Sequence, residues 1–148
     1  NGILLRKLRV IEQVLAELQS LKPLSVEQLQ ADWKIRRAVE RDLQIAIEAM
    51  IDVCQRILSE KGQTPATTAA EAIKRCVQLG VLSDEQPYRR MVQFRNFIVH
   101  QYEEVSPAML ADLVNHRLHD FQQFIREVRA YAGGDFEAIG RVLARDPN

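Results

Sequence analysis

The chain has 148 residues, 47% hydrophobic and only 6% aromatic, with 20 basic residues offset by 20 acidic ones. That suits one domain with a core of Leu, Ile, Val and Ala. Zero net charge excludes a global field that would draw in nucleic acid, so any RNA contact needs a local basic patch. The two cysteines, Cys54 and Cys76, are too few for a disulfide framework and lack metal-ligand spacing. No apolar run approaches the roughly 20 residues of a bilayer span, and the charged start "NGILLRKLRV" is unlike a signal peptide. A reduced, cytoplasmic protein with no membrane partner is expected, with a few residues ahead of Asn1.

In chain order, "ILLRKLRVIEQVLAELQSL" sets Leu4, Leu8, Ile11, Leu15 and Leu18 at steps of three and four, an amphipathic helix that Pro23 ends. Ser25, with Gln28 as its capping-box partner, opens a long helix from about Val26 or Asp32 to Glu60. Its stripe is Ile35, Val39, Leu43, Ala46, Met50, Val53 and Ile57, with Trp33 expected as a packing anchor at the start. Arg36, Arg37 and Arg41 fall on the polar side, supported by Glu40 and Asp42. Gly62 stops this helix as a C′ residue. Thr67 or Thr68 caps a short helix through Leu79, which Gly80 closes.

Ser83, with Gln86 at the box position, is expected to cap a helix to about Gln101. Ser106-Pro107 opens the next, which runs unbroken through "AMLADLVNHRLHDFQQFIREVRAYA" to Gly133-Gly134. A weak helix over Asp135 to Ala144 and a fraying "RDPN" follow. No stretch alternates with period two. The fold expected is an all-α up-and-down bundle of about five to six helices, with residues 1–132 as the bundle and 133–148 as a short, partly frayed helical extension.

The chemistry concentrates in "RNFIVHQY", Arg95 to Tyr102. On a helix of about 100° per residue, Met91, Val92, Phe94, Phe97, Ile98 and Val99 fill a broad apolar arc, and Arg95 falls inside it. An arginine there must snorkel or find an acceptor; Glu48 and Asp52 on the long helix are candidates for a plain salt bridge. His100 lies about 140° from Arg95, beside Asn96 and Gln93 on the polar edge. A helix-terminal surface histidine is its plain explanation. Asn96 and His100 are i, i+4 neighbours, and Tyr102, in isolation a core-edge tyrosine, returns to the Arg95 side.

Within one helix Arg95 and His100 do not converge. A second copy related by a two-fold axis brings two arginines and two histidines into one cleft. That set suits metal-free RNA cleavage. One histidine takes the proton of a ribose 2′-hydroxyl, which attacks the adjacent phosphate, and another protonates the leaving 5′-oxygen. The arginine fork holds the transition-state charge, and Asn96 orients His100 or donates to the phosphate.

Arg95, "NFIV", His100, Gln101, Tyr102 resembles the R-x4-H-x-Y signature of the HepT toxins, a branch of the HEPN superfamily, and Asn96 after the arginine is also similar to the HEPN pattern. The stretches "RRAVERDLQIAIEAMIDVCQRIL" and "AAEAIKRCVQLGVLSDE…YRRMVQFRNFIVH" extend the likeness over roughly residues 3–131. The resemblance implies a homodimeric endoribonuclease toxin without a cofactor, with Arg95 and His100 catalytic. It also implies an antitoxin partner, a small MntA-like nucleotidyltransferase, that attaches AMP to Tyr102. An adenylate there would set negative charge and bulk where the RNA phosphate must lie. The resemblance says nothing of the segment after Gly134.

Two other classes compete: a non-catalytic helical subunit of a nucleotidyltransferase, for which Tyr102 is a modification site, and a purely structural dimer. Elsewhere, His116 and His119 form an H-x2-H pair that lacks a third ligand and reads as a solvated face. Arg89, Arg90, Arg117, Arg126 and Arg129 are either a local basic surface or ordinary solvated charge. Cys54 lies near an apolar stripe and is expected to be inert. Gly133-Gly134 follows no strand and is no phosphate loop.

Overall fold

The structure, a computed structural model, describes residues 2–100 and 105–145, those from 134 onward as backbone only. Among the described residues it is all helix: α1 Gly2–Gln19, α2 Val26–Ala31, α3 Trp33–Glu60, α4 Ala69–Gln78, α5 Gln86–His100, α6 Pro107–His116 and α7 His119–Arg145. No helix among them is long and apolar enough to cross a membrane.

The periodic stripes become the core. Leu4, Leu8, Ile11, Leu15 and Leu18 of α1 are buried against α3, whose Val39, Leu43, Ala46, Met50, Val53 and Ile57 are buried in turn. Each Leu, Ile, Val or Met side chain so taken from water stabilises the fold by about 1.5–3 kcal/mol. The two helices run antiparallel: Lys7 near the start of α1 pairs with Asp52 late in α3 at 3.2 Å, and Glu17 near its end hydrogen-bonds Asp42. α3 is the central strut, with α1, α2, α4, α5 and α6 all packed on it.

The caps explain the boundaries. Ser25 and Gln28 form the expected reciprocal capping box, and Thr68 caps α4 by accepting from Glu71 N. After α3, Gln63 N reaches Leu58 O at 2.9 Å and Gly62 N reaches Ser59 O at 3.0 Å. After α4, Val81 N reaches Cys76 O at 3.0 Å and Gly80 N reaches Val77 O at 3.0 Å. Both are Schellman closures, which need a left-handed C′ residue; Gly62 and Gly80 supply it at φ +72° and +79°.

Seven helices replace the five or six expected because two long helices are each broken. Asp32 sits extended between α2 and α3. Its N–H closes α2 on Gln28 O, and its carboxylate opens α3 by accepting from Lys34 N at 2.9 Å. The second break, at Arg117-Leu118, separates α6 from α7. Arg117 N closes α6 on Leu113 O, and Leu118 is buried at the corner.

Three local expectations also change. Trp33 is not a packing anchor; it is 62% exposed, because the break at Asp32 turns the first residue of α3 off the core face. Ser83 does not cap α5; its N–H and hydroxyl both go to Glu127 of α7, and Asp84 Oδ1 accepts from Gln86 N at 3.1 Å instead. α7 continues through Gly133 and Gly134 to Arg145, since neither glycine supplies the positive φ that would end it and each costs a helix only about 1 kcal/mol.

Candidate active site

α5 carries the motif, and its two halves differ. In the first, Tyr88, Met91, Val92 and Phe94 are buried. Tyr88 is fully buried, meets Phe124 of α7 edge-on at 5.5 Å and 73°, and donates its hydroxyl to Glu127 Oε2 at 2.7 Å. Burial, with the hydrogen bond and charge of Glu127, pushes the Tyr88 phenol well up. Burial also acts to raise Glu127, but hydrogen bonds from Ser83, Tyr88 and Gln123 outweigh it and hold the carboxyl below its usual range. This clamp fixes the start of α5 to α7. Sequence reasoning missed it because Ser83 and Glu127 lie 44 residues apart, with no periodic signal joining them.

In the second half α5 loses its cover. Phe97 and Ile98 are half-buried and Val99 is 46% exposed. Arg95, on the same side as Val99, is half-buried, and its Nε is buried with no hydrogen-bond partner among the described residues. The salt bridge that would explain Arg95 structurally is not made. Glu48 accepts from Gln44 at 3.0 Å, and Asp52 is taken by Lys7. A buried guanidinium nitrogen without an acceptor is costly, and an anionic ligand would relieve it.

His100 is the last residue of α5 and is exposed, as is Asn96 one turn before it. The chain therefore presents, at one end of one helix, a guanidinium whose Nε has no partner among the described residues and an accessible imidazole on different sides. It does not bring them together within a single copy. Tyr102 lies outside the described residues.

The remaining candidates divide. His116 and His119 are exposed, His119 Nε2 lies 3.3 Å from Asp120 Oδ1, and among the described residues no three metal-ligating groups converge on them. The five arginines do not form one surface. Arg89 pairs with Glu85 at 3.6 Å, Arg117 with Asp112 at 3.0 Å and Arg129 with Glu12. Arg126 and Arg129 face a shallow cleft beside α1, whereas Arg90 and Arg117 flank a groove of about 480 Å³ between α5 and α6. Arg36 and Arg37 pair with Glu40 as expected, at 4.0 and 3.8 Å. Cys54 and Cys76 are buried free thiols, Cys76 Sγ donating to Cys54 O at 3.6 Å.

The sequence matches the family described as "Ribonuclease HepT-like" over residues 11–128. It is 25% identical over 132 residues to the "mRNA nuclease HepT" of Shewanella oneidensis, covering 88% of this chain and 98% of that protein. It is 23% identical over 127 residues to the "tRNA nuclease HepT" of Aphanizomenon flos-aquae, covering 84% and 86%. The fold superposes with a TM-score of 0.80, at 25% identity, on the tri-AMPylated Shewanella oneidensis HEPN toxin solved in complex with MNT antitoxin, over 88% of this chain and 98% of that one. This chain belongs to the ribonuclease HepT-like family.

Proposed function

We propose that this chain is the toxin of a toxin–antitoxin pair, a metal-independent endoribonuclease whose site pools Arg95 and His100 from two copies of the chain. The observation that carries this is Arg95: its Nε is buried, no carboxylate among the described residues answers it, and an exposed histidine ends the same helix. The nuclease names of the relatives favour catalysis over the non-catalytic alternative.

A second copy has a place to dock. Val99, 46% exposed, and half-buried Ile98 flank Arg95 at the uncovered end of α5. In this reading a second copy covers them. A two-fold contact at the end of α5, rather than through the Ile98–Val99 face alone, then brings both Arg95 and both His100 side chains to one cleft. One imidazole takes the 2′-hydroxyl proton, and the 2′-oxygen attacks phosphorus. The other imidazole protonates the departing 5′-oxygen, and a 2′,3′-cyclic phosphate remains. Arg95 holds the charge that grows on the phosphate oxygens, and Asn96, one turn from His100, orients the imidazole or donates to the phosphate.

Neutralisation belongs to the same reading. A cognate MntA-like nucleotidyltransferase transfers AMP to the Tyr102 hydroxyl, which attacks the α-phosphorus of ATP and releases pyrophosphate. The adenylate places a negative charge where the RNA phosphate must lie. The solved relative is AMPylated and bound to its MNT antitoxin.

The test is cleavage of RNA by nuclease-free protein. His100→Ala and Arg95→Ala are each expected to lower cleavage at least about 100-fold with helicity and oligomeric state unchanged, and the wild-type products to end in 2′,3′-cyclic phosphate with EDTA present. Equal cleavage by wild type and His100→Ala rejects the assignment. AMP transfer to a chain that is harmless when unmodified favours the non-catalytic partner subunit.

A further inference from the structure

We infer that the groove between α5 and α6 is a nucleotide subsite of the cleavage site, binding one nucleoside of a single-stranded RNA next to the scissile phosphate. The inference rests on the RNA-cleavage reading and adds the surface that holds the substrate.

Three observations support it. The first is direction. On α5, Arg90, Gln93, Phe97 and His100 fall within about 80° of one another, so the groove and the imidazole share one stripe of the helix. Gln93 and His100 are about 10 Å apart along the axis. A strand whose phosphate meets His100 therefore lays its neighbouring nucleotide along the groove.

The second is the chemistry of the walls. Phe94, Phe97, Leu113 and Met109 make an apolar floor; Met109 is 47% exposed and Phe97 half-buried, so a flat ring can reach them. Base stacking on an aromatic side chain contributes about 1–3 kcal/mol per base and tolerates any base. At about 480 Å³ the groove has the size of an ordinary small-ligand site.

The third is charge. Arg90 and Arg117 stand on opposite walls, Arg90 on α5 and Arg117 just beyond α6. Arg117 is held by Asp112 at 3.0 Å, which neutralises the one carboxylate on the rim. Arg90 is exposed and makes no ion pair among the described residues, unlike its neighbour Arg89, which binds Glu85. Among the described residues the rim therefore carries a positive charge, Arg90, that makes no ion pair, above an aromatic floor. A purely apolar protein partner has no use for it, and a sugar-phosphate strand does.

The experiment measures RNA binding and cleavage separately. Binding of a fluorescein-labelled single-stranded RNA oligonucleotide of mixed sequence is followed by anisotropy, in the His100→Ala background so that the probe survives. Two variants are added: Arg90→Ala, on an exposed side chain, and Phe97→Leu, which keeps an apolar side chain and loses the stacking face. Phe97→Leu is expected to weaken binding about fivefold or more. Arg90→Ala is expected to weaken it about tenfold and to reduce the slope of log K against log salt by about 1. In the His100-intact protein both changes should appear as a raised KM more than a lowered kcat.

Binding and KM unaltered by both variants, with cleavage otherwise normal, overturn the subsite and leave the nuclease reading standing. Groove-dependent binding by a wild-type chain that cuts no RNA keeps the subsite and removes the nuclease. If either variant converts the protein to monomers while RNA binding is retained, the groove is an interface between copies and the inference falls.

Discussion

Replacing Glu127 tests whether the clamp on α5 is as strong as its geometry indicates. Three side chains use this carboxylate: Ser83, Tyr88 and Gln123. Only Tyr88 is fully buried, so Glu127→Ala strands a phenol hydroxyl where water cannot replace its acceptor. A buried polar group left unpaired costs about 1–3 kcal/mol, and exposed Ser83 and half-buried Gln123 add little, since water can reach them. The expected loss is about 2–3 kcal/mol. Tyr88→Phe removes the hydroxyl but keeps the ring against Phe124, and Glu127 retains its other donors; its expected cost is about 1 kcal/mol. For a chain of this size each kcal/mol lowers Tm by about 3–4 °C, so Glu127→Ala should melt about 6–12 °C below wild type. The assays are urea and thermal unfolding followed by far-UV circular dichroism at one fixed protomer concentration, because association would make the midpoint concentration-dependent. The double variant should cost less than the sum of the singles by about 1 kcal/mol. A Glu127→Ala protein within about 0.5 kcal/mol of wild type, or singles that simply add, refutes the clamp.

Burial, followed by the hydrogen bond and charge of Glu17, raises the Asp42 carboxyl from 3.8 to about 6. The native chain thus binds more protons than the unfolded one in that window, so this contribution is present below about pH 4 and lost as pH rises through 6. Asp42→Asn should gain about 1 kcal/mol at pH 8, discounted for the exposed part of the side chain, and little at pH 4; the same gain at both, measured by urea unfolding, contradicts the assignment. Asn115 holds Leu24 at both ends, accepting from its N–H at 2.9 Å and donating to its carbonyl at 2.7 Å. Asn115→Ala should therefore cost about 2–3 kcal/mol, and a neutral result would show that water fills the place. Gly62→Ala, at φ +72°, should cost about 1–2 kcal/mol, whereas Gly133→Ala, helical with nothing within 4 Å of the added methyl, should gain about 1 kcal/mol. Thermal melts that rank the two glycines the other way would contradict the helix drawn through Gly133.

How much of this was legible in the sequence follows from the range of each signal. The stripes of α1 and α3, the Ser25 box, the Thr68 cap and the Gly62 and Gly80 closures are local patterns, and the structure keeps each one. The breaks at Asp32 and Arg117-Leu118 were legible to different degrees. Asp32 was one of the two starts offered for the long helix, and what the sequence did not show is that Val26 opens a separate short helix before it; "NHRLHD" contains no glycine or proline to announce a corner. Ser83 looked like a cap because its real partner, Glu127, is distant in sequence. At the site, the position of Arg95 inside the apolar arc was readable, and so was the divergence of His100 from it. That Asp52 would decline Arg95 was not, because its partner Lys7 lies 45 residues away on α1, whereas the Gln44–Glu48 pair at i, i+4 is a local pattern. The α5–α6 groove was equally invisible: it is made by two helices meeting, and no single stretch encodes it.

The central claim, two copies sharing one cleft, is tested most directly by a mixed dimer. A wild-type chain and a His100→Ala chain carrying different affinity tags are co-expressed, the mixed species is isolated by both tags, and its RNA cleavage is compared with each pure dimer. If one phosphate needs both imidazoles, the mixed dimer should be nearly as inactive as the His100→Ala dimer. Half of the wild-type activity would mean that each chain works alone, and the pooled site would be wrong.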